Sequence, residues 1–223
     1  MNLVEYPDRE MMMIDLADKL ASELNSCLMR HEHASFAVPG GTTPGPVFDS
    51  LSGAKLDWSR VHVFLTDERW VPEDHGRSNT RLVRKRLLTD QAAAATLLPL
   101  RADTETPEEA IDDLAAGLAG EFPISVLLLG MGGDCHIASL FPGADNLERA
   151  LAKDAPPLMA MRAEGAGEPR ITLTAPVLRG AMSTHILITG PEKREALENA
   201  RRLSDAEAPV RVVLGEATIH WAE

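Results

Sequence analysis

The chain predicts an α/β fold built on a mainly parallel sheet covered by helices on both faces. Short apolar runs alternate with helical patterns along the sequence, and several of the runs are apolar at nearly every position, as strands buried on both faces require. With 223 residues, 44% of them hydrophobic, one large core is expected over residues 1–223, because two independent cores would be cramped.

Each element has a local reason. Asp8 suits an N-cap, and Met12, Leu16, Leu20, Leu24 and Leu28 recur every four residues as one apolar stripe, so a sheet-covering helix is predicted there. Ala34 to Val38 reads as a strand, followed by a Gly-Gly turn and a helix opening at Pro44. Val61 to Leu65 repeats the strand signal, and Asn79 to Leu88 is helical. Ala92 to Ala95 reads as a helix end. Pro107 to Glu121 predicts a helix with proline in its first turn, before an apolar strand from Ile124 to Leu129. Further strands are predicted at Leu158 to Arg162, Ile171 to Thr174, His185 to Thr189 and Val210 to Leu214, with helices at Pro176 to Arg179 and Pro191 to Arg202. Ala163 to Glu168 is a small, polar and glycine-rich loop.

Composition narrows the function classes. Lys+Arg 22 against Asp+Glu 34 gives a formal charge of -12, which disfavours a phosphate-backbone footprint and hence nucleic-acid binding. Two distant thiols, Cys27 and Cys135, and no recognisable leader favour a cytoplasmic chain without a disulfide framework. Membrane insertion is not expected, because no apolar run approaches the roughly 18 residues that a span needs. His31, His33, His62, His75, His185 and His220 lack ligand spacing, so neither a metal site nor a cofactor is expected.

In open parallel sheets, ligands bind beyond the carboxyl ends of the strands, so the residues after each apolar run carry the chemistry. After Val38, Gly40 and Gly41 allow close backbone approach, and Thr42 and Thr43 add hydroxyls before a helix N-terminus suited to a phosphate. Neither G-x-G-x-x-G nor the Walker pattern is matched, which disfavours nucleotides. After Leu65 stands Asp67-Glu68-Arg69, where an acid can orient a neighbour and an arginine can hold an oxyanion. After Leu129, glycines at 130, 132 and 133 set backbone donors beside Asp134 and His136, the ingredients for proton transfer near neutrality. Arg77, Arg81, Arg84, Lys85 and Arg86 read as a solvated helix face, with Arg77 close enough to Ser78 and Asn79 to approach a substrate.

Taken together, Pro39-Gly40-Gly41-Thr42-Thr43-Pro44, Thr66-Asp67-Glu68-Arg69-Trp70-Val71-Pro72, Ser78-Asn79, Gly130-Met131-Gly132 with Asp134 and His136, Ala138-Ser139-Leu140-Phe141-Pro142-Gly143, Pro169-Arg170-Ile171-Thr172-Leu173-Thr174, and Gly190 with Lys193 resemble the glucosamine-6-phosphate deaminase/6-phosphogluconolactonase family, and its lactonases in particular. The likeness runs in order through nearly the whole chain. It implies a three-layer α/β/α, modified Rossmann-like fold shared with sugar-phosphate deaminases and isomerases. It further implies metal-independent hydrolysis of 6-phosphoglucono-1,5-lactone in the pentose phosphate pathway, by a monomer or small homo-oligomer.

Carried over residue by residue, the resemblance places the catalytic base on His136 and its supporting acid and arginine on Asp67 and Arg69. Substrate binding falls on Gly40, Gly41, Thr42, Thr43, Gly132, Arg170 and Lys193. Arg69 or the glycine-loop N–H groups would stabilise the oxyanion. Cys135 and Ile137 depart from the family's usual Gly and Thr, and a positive φ at position 135 would strain a cysteine. Nucleophilic catalysis by Cys135 is not expected, because adjacent loop residues need not face each other. A deaminase would want Glu at position 141 and Tyr at position 69, where this chain has Phe141 and Arg69. A non-catalytic sugar-phosphate sensor is disfavoured because His136 and Asp67 are both retained.

Overall fold

The computed structural model describes residues 2–223. Strand β1 (Asn2–Glu5) leads into helix α1 (Arg9–Leu28), where Asp8 accepts the Met11 N–H at 2.8 Å and the predicted leucine stripe is buried. Then follow β2 (Ala34–Val38), α2 (Gly45–Ser52), β3 (Val61–Leu65), β4 (Asp67–Arg69), α3 (Asn79–Arg86), β5 (Thr96–Leu97), α4 (Ile111–Leu118) and β6 (Val126–Gly130). The second half contains α5 (Leu147–Leu151), β7 (Leu158–Met161), β8 (Arg170–Leu173), α6 (Ala175–Arg179), β9 (Thr184–Thr189), α7 (Pro191–Ala200), α8 (Arg211–Leu214) and β10 (Thr218–Ala222).

Seven strands form one sheet in the order β1, β10, β9, β6, β2, β3, β5, and every neighbouring pair is parallel. Right-handed crossovers place each helix on a face set by the direction in which the chain crosses the sheet. Travel from β1 to β2, β3 and β5 carries α1, α2 and α3 on one face, where α2 packs against both α1 and α3. Travel back through β6 and β9 to β10 carries α4 to α8 on the other, where α6 packs against α5 and α8. The direction reverses between the adjacent strands β2 and β6, so the loops leaving them diverge and open a crevice.

A second, antiparallel sheet of β4, β8 and β7 sits at that same edge. Thr66 joins the two sheets: its N–H donates to Val38 O and its carbonyl accepts from Leu173 N, both at 2.9 Å.

Several sequence expectations are corrected. Val210 to Leu214 is not a strand; its apolar run forms the short helix α8, with Val212, Val213 and Leu214 buried. A five-residue segment with four apolar residues around Arg211 satisfies either period, and packing against α6 selects the helix. The sheet position is taken instead by β10, while β1, β4, β5 and α5 were not anticipated. The expected helix from Pro107 to Glu121 is α4 between two 3₁₀ turns, and Ala92 lies within a 3₁₀ turn, Asp90–Ala94. Among the described residues, no helix is long and apolar enough to cross a membrane.

Beneath α1, a polar chain whose two histidines are buried ties the β1 edge together. Tyr6 donates to Asp15 at 2.6 Å and meets His220 Nδ1 at 2.9 Å; His220 Nε2 meets His185 Nδ1 at 3.0 Å, and His185 Nε2 meets Glu23 at 2.8 Å. His220 is fully buried, and that desolvation, with His185 beside it, holds its pKa down from 6.5 to about 4. A histidine whose folded pKa is depressed stabilises the fold above its unfolded value and ceases to as pH falls through the folded one. Unfolding free energy should therefore drop by about 3 kcal/mol between pH 6.5 and 4 on account of this group. Urea denaturation across that window measures it. His220→Gln should flatten the slope, and an unchanged slope would remove His220 as its source.

Candidate active site

Strands β9, β6, β2 and β3 are neighbours, and the loops leaving their carboxyl ends enclose, with the small sheet, a cavity of about 230 Å³. Gly40, Gly41, Thr43, Asp67, Arg69, Gly132, His136, Arg170 and Lys193 line it. Thr42 instead faces an adjoining cavity of about 600 Å³, which it shares with Thr43, Arg9 and Thr189.

The loop after β2 is glycine-dependent. Gly41 has φ +81°, and a Cβ at Gly40 would overlap the Asn79 amide. The following helix α2 has no side-chain cap, which leaves its first N–H groups without a side-chain partner beside the cavity wall.

The loop after β6 holds the imidazole. Asp134 Oδ1 lies 2.5 Å from His136 Nδ1 and also accepts the His136 backbone N–H at 3.2 Å. Nδ1 is thus engaged, and Nε2 is the ring nitrogen without a protein partner. A Cβ at Gly132 would collide with the ring, so that position must remain glycine. Cys135 and Ala138 on either side adopt positive φ, +65° and +49°. The strain anticipated for Cys135 is therefore present, at a cost of about 1–2 kcal/mol. Its backbone is clamped in compensation: its N–H donates to Gly132 O and its carbonyl accepts from Val210 N, each at 3.0 Å. The thiol contacts Ala196 O of α7 at 3.3 Å and is not part of the cavity lining, and burial raises its pKa. Neither property suits a nucleophile.

The carboxylate on His136 is thus Asp134, while Asp67 is held elsewhere. It accepts from Ser139 Oγ at 2.6 Å and from Thr66 Oγ1 at 3.2 Å, and it lies 3.8 Å from Arg170 Nη1. Ser139 is fully buried, and the sequence reading, which quoted it within the Ala138–Gly143 motif, gave it no role.

Arg69 and Arg170 are directly opposed across β4 and β8. Like charges so placed repel, and the Nε of each is buried without a hydrogen-bond partner. Arg170 lies 5.5 Å over the Phe141 ring, which also packs 4.5 Å from the His136 ring. Lys193, half-buried in the same wall, has no anionic partner among the described residues; desolvation lowers the pKa of both Lys193 and Arg170. Three cations facing one cavity with unspent hydrogen-bonding capacity describe a receptor for an anionic, oxygen-rich ligand. Arg77 does not line this cavity: it pairs with Glu168 at 3.1 Å, and its carbonyl accepts from Arg69 Nη1 at 2.7 Å.

Glu68 and Asn79, quoted only within motifs in the sequence reading, support and line the cavity. The Glu68 carboxylate is 1% exposed and accepts from the backbone N–H groups of Arg69, Asn79 and Thr80 and from the hydroxyls of Ser78 and Thr80, at 2.7 to 3.3 Å. With Ser78 capping Arg81 N, the start of α3 is fully satisfied. Asn79 then donates to Asp67 O at 3.0 Å and lines the cavity.

The family model of "Glucosamine-6-phosphate isomerases/6-phosphogluconolactonase" matches residues 7–221. The chain belongs to that family. The 6-phosphogluconolactonase of Rhizobium meliloti is 44% identical over 215 residues, covering 93% of this chain and 92% of the relative. That of Pseudomonas aeruginosa is 40% identical over 211 residues, covering 92% and 88%. The crystal structure of a 6-phosphogluconolactonase from Shewanella baltica superposes with a TM-score of 0.95 at 32% identity, covering 100% of this chain and 97% of the other. Within this deaminase/lactonase family, the chain's aromatic Phe141 fills the space between His136 and Arg170.

Because Glu68 orders both Arg69 and the start of α3, Glu68→Gln should lower stability by about 2–4 kcal/mol, since an amide NH₂ would then face N–H donors in a buried site. Urea unfolding reads this directly. A loss below about 0.5 kcal/mol would show that the carboxylate is not the staple described.

Proposed function

We infer that the chain hydrolyses 6-phosphoglucono-1,5-lactone to 6-phosphogluconate, as a 6-phosphogluconolactonase of the pentose phosphate pathway, with His136 as the general base. One observation carries the mechanism: His136 is tied through Nδ1 to Asp134, while its Nε2 has no partner among the described residues in a cavity also lined by Arg69, Arg170 and Lys193. The near full-length relatives that bear the lactonase name support the activity.

In this reading Nε2 takes a proton from water as the oxygen attacks C1. The bond to the ring oxygen then breaks, and that oxygen leaves with the proton returned by the imidazolium. Asp134 keeps Nδ1 as the donor side and stabilises the transient cation. Arg69 or the N–H groups of the Gly130–Gly133 loop receive the developing oxyanion. Lys193, Arg170 and the Gly40–Thr43 turn hold the phosphate. Asp67 acts by positioning, since its contacts are to Ser139 and Arg170 rather than to the imidazole.

His136→Ala should lower kcat roughly 10²-fold or more with KM little changed, measured as 6-phosphogluconate release corrected for spontaneous hydrolysis. Near-normal kcat would exclude His136 from the chemistry, and a greater loss in Asp67→Asn would transfer the role to Asp67.

Lys193→Ala should raise KM about 10- to 100-fold, the scale of a charge-assisted contact worth about 1.5–3 kcal/mol, and leave hydrolysis of unphosphorylated gluconolactone nearly unchanged. Equal losses on both substrates would place Lys193 in the fold or the chemistry instead.

A further inference from the structure

We propose that His33, His62 and Glu121 form a binding site for a zinc-class divalent ion at the edge of the sheet opposite the active site. The three residues come from distant segments. His33 directly precedes β2, His62 is the second residue of β3, and Glu121 closes the 3₁₀ turn (Ala119–Glu121) between α4 and β6. Sequence spacing did not reveal them as a group; the parallel pairing of β2 with β3 brings them together.

Four features point to a cation. One potential ligand atom from each residue lies within 4.8 Å of the others. Glu121 is 93% buried by its 7% exposure, with Oε1 at 2.8 Å from His62 Nδ1 and Oε2 at 3.3 Å from His33 Nε2. That Oε2 makes no hydrogen bond, and no Lys or Arg pairs with the carboxylate among the described residues, so a buried charge is left with imidazoles alone. The two imidazoles stack 4.4 Å apart at 18°, a geometry in which two protonated rings would repel. A single divalent ion neutralises the carboxylate without setting two cationic rings face to face.

The donor set defines the metal class. Two imidazole nitrogens and one carboxylate oxygen suit Zn²⁺, Co²⁺ or Ni²⁺ rather than Mg²⁺ or Ca²⁺, with a fourth position for water. Ligand pairs around tetrahedral zinc stand about 3.3 Å apart. Glu121 Oε2 and His33 Nε2 already match that spacing at 3.3 Å, whereas His62 Nδ1 meets the other oxygen, Oε1, at 2.8 Å and must release it to face the ion. The His33 ring, 38% exposed, can turn out of the stack and also leaves a path for entry. Ser35 Oγ donates to the Glu121 backbone carbonyl at 2.9 Å and fixes the position from which the carboxylate extends. His33 and His62 lie at the amino ends of β2 and β3, whereas the cavity lies beyond their carboxyl ends. The ion would therefore pin three connections of the fold and take no part in the chemistry.

The test uses the full chain stripped by chelator, titrated with Zn²⁺ by calorimetry and with Co²⁺ by visible absorption. The expected result is one equivalent bound at micromolar affinity or tighter, a tetrahedral Co²⁺ spectrum, and a Tm raised by about 5–10 °C at a hundred-fold excess over Kd. His33→Ala, a substitution of a partly exposed side chain, should weaken Zn²⁺ at least about 10-fold and abolish the Tm rise with kcat unchanged. Glu121→Gln should do the same while preserving shape, and His136→Ala should bind as the wild type does. The proposal is overturned if wild type and His33→Ala bind equally, if no binding is seen up to about 100 μM, or if the equivalent is lost in His136→Ala instead.

Discussion

The reversal of chain travel between β2 and β6 is the constraint on which the rest of the structure depends. These two strands pair in parallel at the centre of the sheet, yet their following segments leave toward opposite faces. The backbone groups at their carboxyl ends therefore cannot be covered by one continuous layer. The phosphate-suited turn Gly40–Thr43 comes from one side of that gap and the His136 loop from the other. Their neighbours β3 and β9 bring Asp67 and Lys193 to the same edge. Hydrophobic burial along both faces holds this arrangement, since every residue of β2 is buried and only the last residue of β6 is partly exposed.

The small antiparallel sheet turns that crevice into a cavity. Its registration places Arg69 opposite Arg170, an arrangement that costs free energy and is countered by Asp67 and by the Phe141 face. Glu68 keeps the strained electrostatics in place from behind, because its carboxylate gathers the N–H groups of Arg69 and of the first turn of α3. A buried carboxylate satisfied by backbone donors is rigid, and rigidity here keeps the Arg69 backbone fixed at the cavity wall.

Backbone strain is concentrated beside the imidazole. Of the three non-glycine residues with positive φ among those described, Cys135 and Ala138 flank the His136–Ile137 pair, and the third, Asp90, is remote in a 3₁₀ turn. Cys135 keeps this conformation because Val210, at the entry of α8, and Gly132 hold its backbone from two sides. The segment whose apolar residues misled the strand prediction thus acts as a brace for the His136 loop.

Much of this protein was legible from local signals. The α1 stripe and its Asp8 cap, the strands Ala34 to Val38 and Val61 to Leu65, and the glycine turn follow from periodicity, capping and the residues that end each strand, while the grouping of Arg170 and Lys193 with His136, which line one cavity, came from the family resemblance. Three matters were settled only by tertiary structure. Val210 to Leu214 became helical because packing, not a five-residue pattern, selects its period. Asp134 rather than Asp67 met the imidazole because a tight turn returned it to His136, while Asp67 was drawn to Ser139, seventy-two residues away. The meeting of His33, His62 and Glu121 depended on strand order, which hydrogen bonds between distant segments determine and which no local pattern encodes.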